Sequence, residues 1–364
     1  MEKKKTPTDL KNICVAGSGS WGTTLASVLA ENGHNVFLWS NEQNVADEIN
    51  STHINSNFLP GIELPATIIA SNSPEILNAS ELIINTIPTQ YIRSSIIKQK
   101  LPFKDKYVVN CSKGIELNTM HRISEIFYEA AEITSDRYAV LTGPSLAREV
   151  ANHEPTTLVT ATKNIELSGI VQNIFSNTYL RVYSSYDVIG CELGGALKNV
   201  MAIAIGMVAG LGYGDNAKAA LLTRGIAEIT RLGHLLGAKK ITFAGLSLLG
   251  DLFVTCTSEQ SRNRQLGVAI GKGETLAQIQ AGTKTVAEGV ETTRAIYSLA
   301  QELNVEMPIT EELYHILFTG APARNAIDSL MNRDLEKEWW WHKIKETTKT
   351  LKQKTMHFKD KTKH

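Results

Sequence analysis

The sequence is short of cysteine, carries no surplus of either charge and has no long uncharged apolar run, and each lack removes a class of protein. Its four cysteines, Cys14, Cys111, Cys191 and Cys256, are scattered over 364 residues without a CxxC pair. That argues against a disulfide framework or structural zinc and fits a reducing cytosol, so a cytoplasmic location is expected. No His or Cys residues fall at metal-ligand spacing, so no metal is expected. Basic and acidic residues balance at 37 each, which leaves no global field to attract nucleic acid or a membrane surface. Residues 1–5 are basic but no apolar stretch follows, so a signal peptide is not expected. Residues 190–213 are mostly apolar, yet Glu192 and Lys198 interrupt them. The uncharged remainder, 199–213, is shorter than the roughly 18 residues of a membrane span, and a buried helix is expected instead. No repeat of solenoid period is seen.

What the chain does have is Gly17-Ser18-Gly19-Ser20-Trp21-Gly22, placed between an apolar run at 13–16 and a helix-like segment from Thr23. Strand, glycine turn and helix in that order suit a dinucleotide pyrophosphate. One glycine permits the turn, one admits the phosphates, one lets helix and strand pack closely, and the helix N-terminus offers unpaired N–H groups. A further apolar run at 36–39 follows where the second strand should fall.

Candidate strands at 13–16, 36–39, 82–87, 107–111, 138–142 and 157–160 alternate with amphipathic stretches such as 94–98 and 122–131. This predicts a doubly wound, mostly parallel sheet, with ligands outside the carboxyl ends of its strands. Pro88, Lys113 and residues 143–147 stand just past such ends. From about residue 190 helical spacing takes over, at 192–210, 215–237, 259–271, 285–304 and 309–318. A length of 364 residues exceeds one typical core. The expected organisation is a disordered segment 1–11, an α/β Rossmann domain 12–189, an all-α domain 190–336 and a tail 337–364. The tail carries Trp339, Trp340 and Trp341, then eight lysines against Glu346 and Asp360 over 342–364. Trp340, Ile344 and Leu351 could form one face of a membrane-surface helix. Apolar positions thin out after Leu351, so docking on the body or on a partner subunit is the favoured expectation, and membrane contact is not.

Lys198 is the most conspicuous charge. Its helical neighbours Gly194, Gly195, Met201 and Ala202 are all non-polar. An ammonium there must reach water, find a partner or lose its proton, and a lysine tuned toward neutrality is a plausible general base. Asp251, a carboxylate in an apolar run, needs a partner, and Lys198 would serve. Lys113, at the end of a candidate strand, can meet a phosphate or a substrate oxygen, or stay a solvated loop lysine. Gly143-Pro144-Ser145 suits a small polar ligand or a helix entrance. Ser261-Arg262-Asn263-Arg264 suits a phosphate or a helix cap with exposed arginines. His34 and His234 each follow a glycine in a helix-exit pattern and are expected at caps.

Taken together these segments resemble bacterial-type NAD(P)-dependent glycerol-3-phosphate dehydrogenases. The resemblance runs from about residue 12 to 333 and rests on the glycine turn, Ser112-Lys113-Gly114-Ile115-Glu116, Gly143-Pro144-Ser145, Glu192-Leu193-Gly194-Gly195-Ala196-Leu197-Lys198-Asn199 and Gly212-Tyr213-Gly214-Asp215-Asn216-Ala217-Lys218. Gly250-Asp251-Leu252, Thr255-Cys256-Thr257 through Arg264, Val286-Ala287-Glu288-Gly289 and Met307-Pro308-Ile309-Thr310-Glu311 complete it. The resemblance implies a Rossmann domain and a helical domain with the active site between them. It also implies interconversion of sn-glycerol 3-phosphate and dihydroxyacetone phosphate with NAD or NADP, supply of phospholipid precursor, and a homodimer. It makes Lys198 the proton acceptor, held by Asp251 and aided by Lys113. Lys113, Gly143, Ser145, Lys198, Asp251, Ser261, Arg262 and Asn263 match substrate positions. Gly17, Gly19, Ser20, Trp21, Gly22, Asn41, Lys113, Ala147, Arg262, Val286 and Glu288 match cofactor positions.

Two departures stand out. After the second strand the chain reads Ser40-Asn41-Glu42, without the basic residue that many relatives place there for a 2′-phosphate. Glu42 lies 20 residues past Gly22 (42 − 22), the offset of a ribose-binding acid. NADH is therefore expected to serve at least comparably to NADPH. The tail is the second departure, with no counterpart in the motif set. Rival readings are a two-domain reductase for another 2-hydroxy or 2-oxo substrate, against which residues 261–263 weigh, and a nucleotide sensor, which leaves Lys198, Asp251 and Arg262 without a role.

Overall fold

The computed structural model describes residues 10–282 and 287–332. The expectations for residues 1–9, Val286 and the tail 337–364 lie outside them. The first half forms one eight-stranded sheet from β1 (Asn12–Ala16), β2 (Asn35–Trp39), β3 (Ile68–Ser71), β4 (Leu82–Asn85), β5 (Tyr107–Asn110), β6 (Tyr138–Thr142), β7 (Thr156–Thr162) and β8 (Leu180–Ser185). The order is β3-β2-β1-β4-β5-β6-β7-β8, and the β6–β7 pair alone is antiparallel. Strands β4, β5 and β6 are buried at every residue. Such strands read as continuous apolar runs, which is why the sequence shows them. The sequence reading missed β3 and β8. Both are edge strands whose exposure alternates along the chain, so neither builds an apolar run.

Helices α1 (Ser20–Glu31), α2 (Gln43–Thr52), α3 (Thr89–Ile97), α4 (Ile123–Ala131), α5 (Ala147–Ala151) and α6 (Ile165–Phe175) accompany the sheet. Apolar clusters fill both of its faces. The second half is helical: α7 (Val188–Gly210), α8 (Asp215–Leu235), α9 (Asp251–Thr257), α10 (Arg262–Gly271), α11 (Leu276–Gly282), α12 (Glu288–Leu303), α13 (Pro308–Thr319) and α14 (Ala323–Met331).

Helix α7 is the axis of this half. It is long and apolar enough to cross a membrane, but 89% of its apolar window is buried inside the protein. It begins two residues before the expected domain start at 190, because Asp187 caps it by accepting from Gly190 N at 3.0 Å. Helix α10 crosses it with backbones in contact. A β-carbon at Gly267 would lie 2.0 Å from Ile203 O, and one at Gly206 2.2 Å from Arg264 O. Only glycine allows that approach, and it fixes where Arg262 and Asn263 begin their helix.

Glu192, four acceptor contacts deep in α7, ties the two halves together. It accepts from Arg122 Nη1 (2.9 Å), Ser124 N (2.8 Å), Ser124 Oγ (2.7 Å) and Tyr138 Oη (2.7 Å). A buried carboxylate with this many donors is held in place rather than penalised. One cap expectation fails. His234 sits inside α8, and the left-handed glycine is Gly237 (φ +98°). Gly233 is there for packing, since a β-carbon would lie 2.2 Å from the Phe243 ring. His34 does follow the end of α1, with Nδ1 at 2.7 Å from Leu10 O.

Candidate active site

The glycine turn leaves β1 at Gly17, whose φ of +115° favours glycine. Its N–H donates to Trp39 O at 3.0 Å, which ties the turn to β2. Thr86 Oγ1 donates to Gly17 O at 2.9 Å. A β-carbon at Gly22 would lie 1.9 Å from that same carbonyl, so α1 rests directly on the turn. Gly19 differs: nothing lies within 4 Å of where its β-carbon would be. Two glycines are thus required by packing, while the third faces open space at the N-terminus of α1. The first-turn N–H groups of a helix lack intrahelical partners and attract anions, and this cradle fits a pyrophosphate. Ser20 Oγ donates to Phe58 O at 2.5 Å, and Trp21 packs against the sheet core. Ala147 opens α5 beside α1, its carbonyl accepting from Thr24 Oγ1 at 3.2 Å.

Past β2, Ser18 Oγ donates to Ser40 Oγ at 2.7 Å. Glu42 N donates to Ser40 Oγ at 3.3 Å. The exposed Asn41 accepts from Gln99 Nε2 at 2.8 Å. Glu42 precedes α2 as its N-cap, but its side chain makes no capping bond.

The ionisable centre lies where the loop after β5 meets α7 and α9. Lys198 is 7% exposed, and its Nζ donates to Asp251 Oδ1 and, at 2.8 Å, to Thr255 Oγ1. Lys113 Nζ donates to the other carboxylate oxygen, Asp251 Oδ2, at 2.5 Å. Thr255 Oγ1 donates to Asp251 O at 2.6 Å, which leaves its lone pairs toward Lys198. Glycines again set the approach. At Gly195 a β-carbon would come within 3.4 Å of Lys113 Cγ, and at Gly194 within 2.7 Å of Ser247 O. A π-helical turn, Leu246–Gly250, therefore packs against α7 and delivers Asp251 to Lys198. Burial pushes Lys198 down to about 8, against the pull of Asp251 and with added repulsion from Lys113.

Pro144 beside Gly250 and Glu288 beside Asn199 border this centre. Gly143 has φ +144°, and a β-carbon there would also lie 3.1 Å from Leu158 Cα. Pro144 packs near Gly250, and Ser145 Oγ donates to Gly143 O at 3.2 Å. Ser145 is not a helix cap, since Leu146 holds that position. Ser261 is one: it caps α10 by accepting from Arg264 N at 3.3 Å. Arg262 is exposed and makes no ion pair among the described residues. Asn263 Oδ1 accepts from Gly289 N at 3.0 Å, which leaves its Nδ2 as a donor. Glu288 opens α12 and meets Asn199 Nδ2 at 3.5 Å. Burial raises its carboxyl above the ordinary range, while Arg262, Lys113 and Lys198 oppose the rise.

The sequence reading gave no role to Thr255, Asn199 or the Arg122–Glu192 clamp. Thr255 stands one helical turn beyond Asp251, a signal visible once 251–257 is read as helix. Among the described residues no three His, Cys, Asp or Glu side chains group as metal ligands.

The chain is similar to known proteins over most of its length. Residues 12–168 match the family described as NAD-dependent glycerol-3-phosphate dehydrogenase N-terminus, and residues 187–328 match the corresponding C-terminus. A glycerol-3-phosphate dehydrogenase [NAD(P)+] from Halalkalibacterium halodurans is 47% identical over 326 residues, 89% of this chain and 94% of the relative. One from Bacillus thuringiensis is 48% identical over 334 residues, 89% of this chain and 96% of the relative. A crystal structure of glycerol-3-phosphate dehydrogenase from Coxiella burnetii superposes with a TM-score of 0.84 at 36% identity, covering 89% of this chain and 99% of that one.

Proposed function

The chain belongs to the NAD-dependent glycerol-3-phosphate dehydrogenase family, and we propose that Lys198 is the acid–base through which it works. It is an NAD(P)-dependent oxidoreductase that interconverts sn-glycerol 3-phosphate and dihydroxyacetone phosphate. The observation that carries the lysine mechanism is the buried Lys198–Asp251–Lys113 arrangement. A bound nicotinamide dinucleotide would supply the hydride acceptor or donor for substrate C2.

In the oxidative direction neutral Lys198 takes the C2 hydroxyl proton. In the reductive direction its ammonium gives that proton to the carbonyl oxygen, with Lys113 polarising the same oxygen. Asp251 fixes both lysines and favours the charged form of Lys198. Arg262 and the free Nδ2 of Asn263 grip the phosphate, remote from the reacting carbon, and this binding orients the substrate. Gly143, Ser145 and Ser261 complete the substrate side. Gly17, Gly19, Ser20, Trp21, Gly22, Asn41, Ala147, Glu288 and Val286 would hold the dinucleotide with Lys113 and Arg262. The same reading takes 12–189 and 190–336 as the two domains, a cytoplasmic homodimer as the working form, and phospholipid precursor supply as the role. Kinship with bacterial enzymes supports these assignments.

Cofactor choice follows from the end of β2. The hydroxyl of Ser40 is occupied by Ser18 and the Glu42 backbone, no basic residue stands at 40–42, and Glu42 can accept from a ribose hydroxyl. NADH should therefore serve at least as well as NADPH. Steady-state oxidation of each by the wild-type protein with dihydroxyacetone phosphate tests both parts. No turnover with either overturns the enzyme reading, and a large NADPH advantage overturns the role of Glu42.

A further inference from the structure

Lys113 reaches Asp251 from a stretch of chain, residues 111–116, that is neither strand nor helix. Backbone polar groups in such a stretch need partners from elsewhere, and α3 supplies several of them. Thr89 Oγ1 donates to Lys113 O at 2.9 Å. Gln90 Nε2 donates to Ile115 O at 2.8 Å, and Gln90 Oε1 accepts from Leu117 N at 3.1 Å. Arg93 forks onto the Glu116 carboxylate, Nε to Oε1 at 2.9 Å and Nη2 to Oε2 at 2.8 Å. Thr89, Gln90 and Arg93 stand at helical spacings of three and four (93 − 90, 93 − 89), so one face of α3 lies along the loop. The base of that helix is fixed in turn, since Thr86 N donates to Ala16 O at 2.9 Å and Thr86 Oγ1 to Gly17 O at 2.9 Å.

Given the role of Lys113 in the reaction above, we propose that Gln90 is a positioning residue for that reaction, holding the loop backbone so that Lys113 Nζ meets Asp251 and the substrate oxygen. Gln90 bonds to the residues on both sides of Glu116, one as donor and one as acceptor. A carboxamide offers both functions at once, whereas a carboxylate only accepts and a thioether supplies almost neither. The need for such a grip lies in Lys113 itself. Its four-carbon stem is flexible, so the backbone decides where the ammonium can reach. Arg93 backs the same grip through Glu116, with the planar fork that a carboxylate matches.

The test is a double-mutant cycle on kcat for dihydroxyacetone phosphate reduction by NADH, with wild type, Lys113→Ala, Gln90→Met and the double variant. Methionine keeps the length of the side chain and removes both bonds. Gln90→Met should lower kcat about 10- to 100-fold, the scale of a displaced reacting group. The double variant should be no slower than Lys113→Ala, because nothing is left to position. The pH profile gives a second readout. Lys198 is faced by Asp251 of α9, Lys113 of the loop and Glu288 of α12. Lys113 opposes the proton on Lys198 and Asp251 favours it, so with Lys113 displaced the fall of the reductive rate should move to higher pH. A residue that only supports the fold would lower the melting temperature, slow both backgrounds alike and leave that pH unchanged, and this result overturns the proposal. A slow Lys113→Ala beside a Gln90→Met of wild-type rate overturns it alone. Wild-type kcat in Lys113→Ala overturns the role of Lys113 and the proposal with it. Should Gln90→Met misfold, Arg93→Lys keeps the charge but loses the fork, and it must show a smaller loss that again vanishes in the Lys113→Ala background.

Discussion

Gly17, Gly19 and Gly22 sit within one turn of chain, whereas Lys198 reaches Asp251 across 53 residues and Lys113 reaches it across 138. The turn offers backbone N–H groups and open space. The lysine centre offers side-chain charges held in a buried, low-dielectric setting. A cradle made of backbone depends on the absence of side chains. A proton-transfer centre depends on which side chains are brought together and how far from water they sit.

Removing the base separates the two regions most sharply. Lys198→Met should lower kcat by roughly 10²–10⁴-fold, the usual contribution of a general acid–base, and leave cofactor affinity intact. Stopped assays with dihydroxyacetone phosphate, set against fluorescence titration with NADH, check this. A variant that loses cofactor binding as well would mean that the lysine centre and the turn are not separable.

The pH profile is the next test. Lys198 is lowered to about 8 by burial, so reduction, which needs the ammonium, should fall as pH rises through that value, toward tenfold per unit well above it. Oxidation, which needs the neutral amine, should rise through the same value. Asp251 raises the lysine's affinity for its proton, so Asp251→Asn should move both limbs to lower pH. Profiles of kcat in the two directions that move together, or a shift to higher pH in the variant, would contradict the assignment.

The turn was legible in the sequence because its signal is local, three glycines between an apolar run and a helix. Most of the sheet was legible for the same reason, as continuous apolar strands, while β3 and β8 were lost at its edges. The lysine centre was only half legible. Lys198 and Asp251 each stood out as a charge among apolar neighbours, and the need of each for a partner pointed to the other. Nothing local could show that Gly194 and Gly195 admit Ser247 and Lys113, or that Glu192 would be matched by donors from α4 and β6. Those facts exist only once distant segments pack.

The glycines themselves give the third test. Gly22→Ala must displace a carbonyl 1.9 Å away and should cost about 1–3 kcal/mol of stability. Gly19→Ala meets no protein atom within 4 Å, so its melting temperature should stay close to wild type while NADH affinity falls. Calorimetry and NADH titration on both variants distinguish packing from cradle. Equal melting temperatures would remove the distinction between the two glycines.

Thr255→Val carries the smallest expected effect and tests how far the lysine centre is a network rather than a pair. Thr255 accepts from Lys198 at 2.8 Å while donating to Asp251 O at 2.6 Å, so it orients the amine without carrying charge. Losing one such bond removes about 0.5–1.5 kcal/mol, which predicts a drop of a few-fold to about tenfold in kcat. The side-chain volume is kept, and NADH affinity should not move. With one donor site of the ammonium unsatisfied, the neutral amine is favoured, so the reductive limb should shift slightly to lower pH. A purely structural threonine would lower stability without moving that limb, and the pH profile therefore separates the two roles.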